Sequence, residues 1–238
     1  MSVPERWSKP PVMALAVLVS ATSVAAEQQR AHNPGRREDF QVWSALNLQA
    51  PVAGRWRATG DFIAFLTDNS TRLGQLLTRG ILDYGLNEQL SVGGGYTYFR
   101  VNDGIGADFK EHRALQEFGY KTSEGLYKTR FSLRTRLEER LHEGEAGVAY
   151  RLRLLTRLDV PATSRGDGCI AWNETFYAIN EVPWQGRPGF AFMMNFVGYS
   201  LPVSKRLTLE PGYLNLTYFD AGPNRVRHIL AVFATVHL

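Results

Sequence analysis

The sequence predicts an all-β fold: an antiparallel up-and-down transmembrane β-barrel of ten to twelve strands, with twelve the expected count. Three observations point there. From Phe40 onward the chain breaks into stretches of about 10 to 15 residues separated by clusters of Gly, Pro, Asn and Asp, the spacing of repeated hairpins. Within the central stretches charged and apolar residues alternate with period two, as a strand with two different faces requires. Glycine (22) and aromatic residues (12%) are plentiful, which suits strands joined by tight turns. Bulk composition narrows the class further. A hydrophobic content of 44% excludes a wholly disordered chain. The single cysteine, Cys169, excludes an intrachain disulfide framework and a Cys-rich zinc centre. The 27 Lys+Arg and 23 Asp+Glu interleave rather than forming blocks, so nucleic acid is not an expected partner.

Residues 1–26 read as a secretory signal peptide. Arg6 and Lys9 give a positive start, Val12–Val19 is a short apolar run, and small residues fill Ser20–Ala26, with cleavage expected after Ala26. The run falls well short of the ~20 apolar residues a membrane-spanning helix needs. Residues 27–38 form a polar leader containing Pro34-Gly35, and 39–238 form the barrel. Strands are expected at 39–49, 54–66, 73–85, 89–101, 109–121, 126–141, 147–159, 170–181, 189–200, 205–218 and 226–238. Single-chain bacterial barrels use even numbers. Either the poorly patterned 39–49 segment is not a barrel strand, leaving ten, or a further strand brings the total to twelve.

The 126–141 segment carries the clearest pattern. Its even positions include Lys128, Arg130, Arg134, Arg136, Glu138 and Arg140; its odd positions include Tyr127, Phe131, Leu133, Leu137 and Leu141. At 100° per residue these charges would scatter around a helix, so a strand is the better fit. Arg151, Arg153 and Arg157 repeat the pattern with opposite parity. A hairpin turning at Glu143–Ala146 sets Glu138 opposite Arg151 and position 136 opposite 153, so both charged faces coincide. The preceding hairpin, turning at Thr122–Gly125, is expected to set Glu117 against Arg130 and Glu111 against Arg136.

Alternation alone does not say which face is wet. A soluble sandwich or small lipocalin-like barrel packs its apolar face inward, whereas an outer-membrane barrel turns that face to lipid and encloses the charges. Strands of 13 residues or more exceed the usual ~5 to 6 of globular sheets. Aromatic residues near strand ends (Trp43, Trp56, Tyr84, Tyr98, Tyr120, Tyr127, Tyr150, Tyr199, Tyr218) suit interfacial girdles. The chain also ends on an alternating segment, Leu230–Leu238. These features favour the membrane barrel.

A resemblance supports the same fold. Gly95-Tyr-Thr-Tyr-Phe-Arg100, Glu111-His-Arg113, Arg134-Thr-Arg-Leu-Glu-Glu-Arg140 with Tyr150-Arg-Leu-Arg153, Asn173-Glu174, and Glu210-Pro-Gly-Tyr213 before His228 occur in order. This series resembles the bacterial outer-membrane β-barrel family catalogued as domain of unknown function 2490, over roughly residues 38 to 238. The chain departs from that pattern at Phe190–Phe196, where an Asn-Arg pair is expected, and at Leu238, where an aromatic is usual. The resemblance implies a fold and a Gram-negative outer-membrane location, and no reaction.

The candidate lumen-lining residues are Arg79, Glu111, Arg113, Glu117, Arg130, Arg134, Arg136, Glu138, Arg140, Arg151, Arg153 and Glu174. One reading is interlocking ion pairs that fill and fix the interior. The other is a narrow channel, favouring anions because arginine outnumbers carboxylate in that set. A soluble periplasmic ligand-binding barrel and a barrel-embedded lipid-modifying enzyme are the alternatives. His112, His142, His228 and His237 have no serine partner at strand spacing, so no catalytic residue is expected. No metal or other cofactor is expected: Glu111-His112 and His142-Glu143 match no ligand spacing, and Gly93-Gly-Gly95 lacks the companions of a phosphate loop. Expected partners are outer-membrane lipid and lipopolysaccharide, with the barrel assembly machinery during insertion; the sequence names no permeant. Val182–Gly189 reads as an exposed loop whose Trp184 anchors at the membrane interface.

Overall fold

The computed structural model describes residues 38–102, 108–125, 128–219 and 224–238; the expected signal peptide, the leader up to residue 37 and Tyr127 lie outside the described residues. Eleven strands follow one another: β1 (Glu38–Ala53), β2 (Trp56–Thr67), β3 (Arg72–Gly85), β4 (Leu90–Asn102), β5 (Asp108–Lys121), β6 (Arg130–His142), β7 (Val148–Pro161), β8 (Gly168–Ala178), β9 (Gly189–Pro202), β10 (Leu207–Tyr218) and β11 (Arg225–His237). Each pairs with its chain neighbours in antiparallel fashion, and β1 closes the barrel against β11.

Closure differs from a purely antiparallel barrel. In an up-and-down meander successive strands reverse direction, so an odd count leaves the first and last pointing the same way. The β1–β11 seam is accordingly parallel, running from Glu38 opposite Val226 to Gln49 opposite His237. The count is eleven, within the expected ten to twelve, and neither the loss of the 39–49 segment nor a twelfth strand occurs among the described residues. The expectation of an even number fails because β1 is a full partner at the seam.

Register in the centre follows the charge pattern. Glu138 stands opposite Arg151, and Arg136 opposite Arg153. The β5–β6 hairpin departs from expectation: Glu117 faces Arg136 and Glu111 faces His142. The expected tight turn at 122–125 is instead a connection from Thr122 to Thr129, with Lys128 at a φ of 58°, and β6 begins only at Arg130. The slip is an even number of residues, so every side chain keeps its face.

The faces are inverted relative to a soluble barrel. Phe62, Leu82, Phe118, Phe131, Leu152, Leu154, Leu158, Val197, Leu230 and Val232 lie exposed on the outside, while Arg136 and Glu138 are completely buried inside. Eleven strands enclose a wider bore than eight, and large side chains fill it. Arginines and glutamates on β3–β8 occupy one side. Trp43, Phe65, Phe196, Leu214, Leu216 and Ile229 form an apolar cluster on the other. Phe196 stacks on Trp172 at 5.1 Å and meets Phe233 edge-on at 5.3 Å. Gly198 and Gly212 make room for it, since a Cβ on either would approach the ring tip to 2.4 Å. Inward apolar side chains here weaken the charged-and-apolar alternation, and β1 instead carries the amides Gln41, Asn47 and Gln49 beside Trp43 on its inward face.

Candidate functional site in the barrel interior

Three consecutive strands with one inward charged parity place their side chains within reach of one another, and the result is a series of ion-pair groups. Glu138 accepts from Arg151 Nε at 2.8 Å and Nη2 at 2.5 Å, and from Arg153 Nη1 at 2.6 Å. Arg153 continues to Glu174 at 2.8 Å, which also binds Arg134 at 3.0 Å. Arg136 binds Glu117 at 2.5 Å. Glu111, wholly buried, holds Arg113 at 2.9 Å and also Arg140. Arg79 binds Asp61 at 2.5 Å, and Arg157 bridges Asp159 at 2.7 Å and Glu210 at 2.6 Å. Cation–π contacts tie these groups to the apolar side, with Arg153 over Phe176 at 4.6 Å and Arg113 over Phe99 at 4.4 Å.

Of the twelve residues expected in the lumen, eleven take part in these separate groups of ion pairs. Arg130 stands apart, exposed at the first residue of β6, where it lines the mouth. Asp61, Asp83, Asp159 and Glu210 were missed, and Arg157, which the alternation had placed on the charged face with Arg151 and Arg153, was left out of the candidate set. Asp159 shares that inward parity, so the period-two rule could have found it; Asp61, Asp83 and Glu210 stand nearly alone among apolar neighbours. Their inclusion changes the electrostatics. Arg57, Arg79, Arg113, Arg134, Arg136, Arg140, Arg151, Arg153 and Arg157 pair with Asp61, Asp83, Glu111, Glu117, Glu138, Asp159, Glu174 and Glu210, nine arginines to eight carboxylates. The arginine excess counted from the sequence is much smaller among these pairs, which weakens the reason to expect anion preference there.

The two ends of the barrel differ. At one end the loop 179–188 folds across the opening. Val182 is buried, Gln185 accepts from Arg140 Nη1 at 2.5 Å, and Trp184 lies against Arg140 at 5.2 Å and against the ring of His142 at 5.7 Å. Trp184 is therefore half-buried in a cap, and not the exposed anchor expected from its loop. The other end is open, with two polar cavities of about 390 and 360 Å³ around its mouth. Between the ends, Arg136, Glu138, Glu111, Phe196, Leu214 and Ile229 are all under 2% exposed, so side chains fill the mid-section.

The outer surface carries some polar groups. Asn173 donates to Asn195 at 2.8 Å across β8 and β9, and Gln116 donates to Glu139 at 3.3 Å. His112 joins Tyr96 through Nδ1 and Glu143 through Nε2 at 2.9 Å, and Tyr213 joins His228 at 2.7 Å. The histidine partners are thus tyrosines and a carboxylate. The His112 hydrogen bond, helped by Lys110, holds the Glu143 carboxyl below the usual glutamate range. Hydrogen bonds from Thr163 and Tyr199 do the same for Asp167 in the loop between β7 and β8. Trp43 and Tyr218 face inward rather than joining an outer girdle, because Trp43 packs on Phe65 at 4.6 Å and Tyr218 on Phe192 at 5.6 Å. Trp56 and Tyr84 do lie outside, 4.9 Å apart at the open end. Cys169 is exposed, and no cluster of metal-ligating side chains occurs among the described residues.

These features define a closed eleven-strand β-barrel with an apolar exterior and an ion-paired interior. Residues 40–227 match the family described as Protein of unknown function (DUF2490), and the chain belongs to that family. It is also 30% identical over 206 residues to an uncharacterized protein of Methylorubrum extorquens, covering 82% of this chain and 86% of that protein. No solved structure matches.

Proposed function

We propose that the chain is an integral β-barrel of the Gram-negative outer membrane, a structural barrel closed through its mid-section rather than an open pore. The inverted faces carry this reading: Phe131, Leu152 and Leu154 lie outside while Arg151 and Arg153 are buried within. In water such an exterior would be a large apolar liability, and in a bilayer it is the surface lipid requires. The partners that follow are membrane lipid, lipopolysaccharide, and the barrel assembly machinery at insertion. The filled mid-section supports a closed state. The test is gel mobility of outer-membrane fractions with and without boiling, followed by planar-bilayer recording. A heat-modifiable band and no steady conductance are expected. A soluble periplasmic band refutes the location, and steady conductance refutes the closed interior.

One observation favours a second reading, a lipid-modifying enzyme. The Tyr96–His112–Glu143 series places a base between a hydroxyl and an orienting carboxylate on the outer surface. Phospholipid hydrolysis by the purified barrel, lost in His112→Ala and kept in His228→Ala, would establish it; no hydrolysis removes it.

A further inference from the structure

The cavity of about 390 Å³ at the open end is lined by charged and hydroxyl-bearing side chains. Arg130, Arg157 and Arg165 face Asp159 and Glu210 across it. Arg157 takes both carboxylates: Nη2 donates to Asp159 at 2.7 Å and to Glu210 at 2.6 Å, and Nη1 donates to Glu210 at 3.1 Å. Arg130 stands opposite Asp159 in the β-ladder, yet that carboxylate is already engaged. Arg165 lies in the loop between β7 and β8, where the Asp167 carboxylate is occupied by Thr163 and by Tyr199 at 2.8 Å. Among the described residues neither Arg130 nor Arg165 forms an ion pair. In the second cavity Arg57, Arg79 and Arg134 have carboxylate partners, while Arg55 donates to the Leu86 carbonyl at 2.7 Å and Lys121, like Arg55, forms no ion pair among the described residues.

The rest of the lining is His237, Pro202, Gly166 and a set of hydroxyl and amide groups. Ser200, Thr208, Thr235 and Gln49 all border the space. Two guanidinium groups without carboxylate partners suit an oxyanion, since the planar fork of arginine matches phosphate or carboxylate oxygens. Hydroxyl and amide groups suit a ligand that itself carries hydroxyls. The volume sits near the lower end of the ~300–1,000 Å³ typical of small-molecule sites, which fits one sugar ring. From this the geometry points to a binding site for a phosphorylated monosaccharide at the open mouth, with the phosphate held between Arg130 and Arg165.

This site does not depend on where the barrel resides, so its test is separable from the membrane reading. The full-length protein, purified in detergent, is titrated calorimetrically with glucose 6-phosphate, glucose and inorganic phosphate at low ionic strength. Saturable binding of glucose 6-phosphate is expected, at least tenfold tighter than either control. The Arg130→Gln/Arg165→Gln double variant is expected to lose at least tenfold, while Arg57→Gln at the other cavity changes affinity less than twofold. Both arginines are exposed at the rim, and an unchanged far-ultraviolet circular dichroism spectrum checks that the double variant folds. No saturable binding, equal affinity for glucose or for inorganic phosphate, or an undiminished double variant overturns the site.

Discussion

Replacing Glu138 by Gln perturbs the interior at a buried carboxylate that holds two arginines. Glu138 is wholly buried and accepts from Arg151 Nε at 2.8 Å and Nη2 at 2.5 Å, and from Arg153 Nη1 at 2.6 Å. Arg153 keeps a second carboxylate, Glu174, at 2.8 Å, whereas Arg151 has no ion-pair partner other than Glu138 among the described residues. The substitution therefore strands one buried guanidinium. Removing one member of a buried pair costs about 3–5 kcal/mol, because the remaining charge is left desolvated. The assay is denaturant unfolding of the barrel refolded in lipid vesicles, followed by tryptophan fluorescence. Glu138→Gln is expected to lose that much, and Glu138→Gln/Arg151→Met to regain most of it, since no charge is then left alone. The adjacent Glu139 points outward and only accepts from Gln116 at 3.3 Å, so Glu139→Gln is expected to change stability by less than about 1 kcal/mol. A loss below about 1 kcal/mol for Glu138→Gln, or a larger loss at Glu139, would refute the assignment of faces.

Further outcomes follow from other parts of the barrel. Phe196→Ala empties a fully packed site and is expected to cost about 3–5 kcal/mol, and Gly212→Ala, whose Cβ would meet the same ring at 2.4 Å, about 1–3 kcal/mol; denaturant midpoints with unchanged m-values check both. Glu143 and Asp167 have folded pKa values below their unfolded ones, so each stabilises fully at neutral pH and loses that contribution as pH falls through its folded pKa. The stability gap between wild type and Glu143→Gln or Asp167→Asn should therefore shrink on acidification, and a gap that widens contradicts this. Trp184→Ala removes the ring lying on Arg140 at 5.2 Å, and faster proteolytic nicking within 179–188 is expected; an unchanged rate argues against the cap.

Much of the fold was legible because the ionic side of the barrel leaves a strong mark. Arg130 to Arg140 and Arg151 to Arg157 alternate so regularly that strand, inward face and the Glu138–Arg151 register all followed. The β5–β6 alignment was less legible. Parity is blind to a slip of an even number of residues, and Thr122–Gly125 looks like a tight turn although the connection runs on to Thr129. All eleven segments were legible, and the even-number rule alone moved the expected count away from eleven by casting doubt on β1. The inward face of β1 carries Trp43 among amides, packed on Phe65, so its alternation resembles neither barrel face. The apolar half of the interior was missed because Phe196 and Leu214 are inward and apolar beside outward neighbours that mix Asn195 and Asn215 with Val197 and Tyr213, so no charged face marks the inside. The cap could not be read from Trp184 alone, because its place depends on Arg140, more than forty residues away in the chain.

The direction of the two faces can be measured most directly by spin-label accessibility on β7, in a Cys169→Ser background reconstituted in vesicles. Leu152 and Leu154 point outward, while the next residue, Leu155, borders the open-end cavity of about 360 Å³. Labels at 152 and 154 are expected to collide with oxygen dissolved in lipid and to be shielded from a water-soluble nickel chelate, with the reverse at 155. Nickel access at 152 and 154, with shielding at 155, would mean that the apolar side is the wet one.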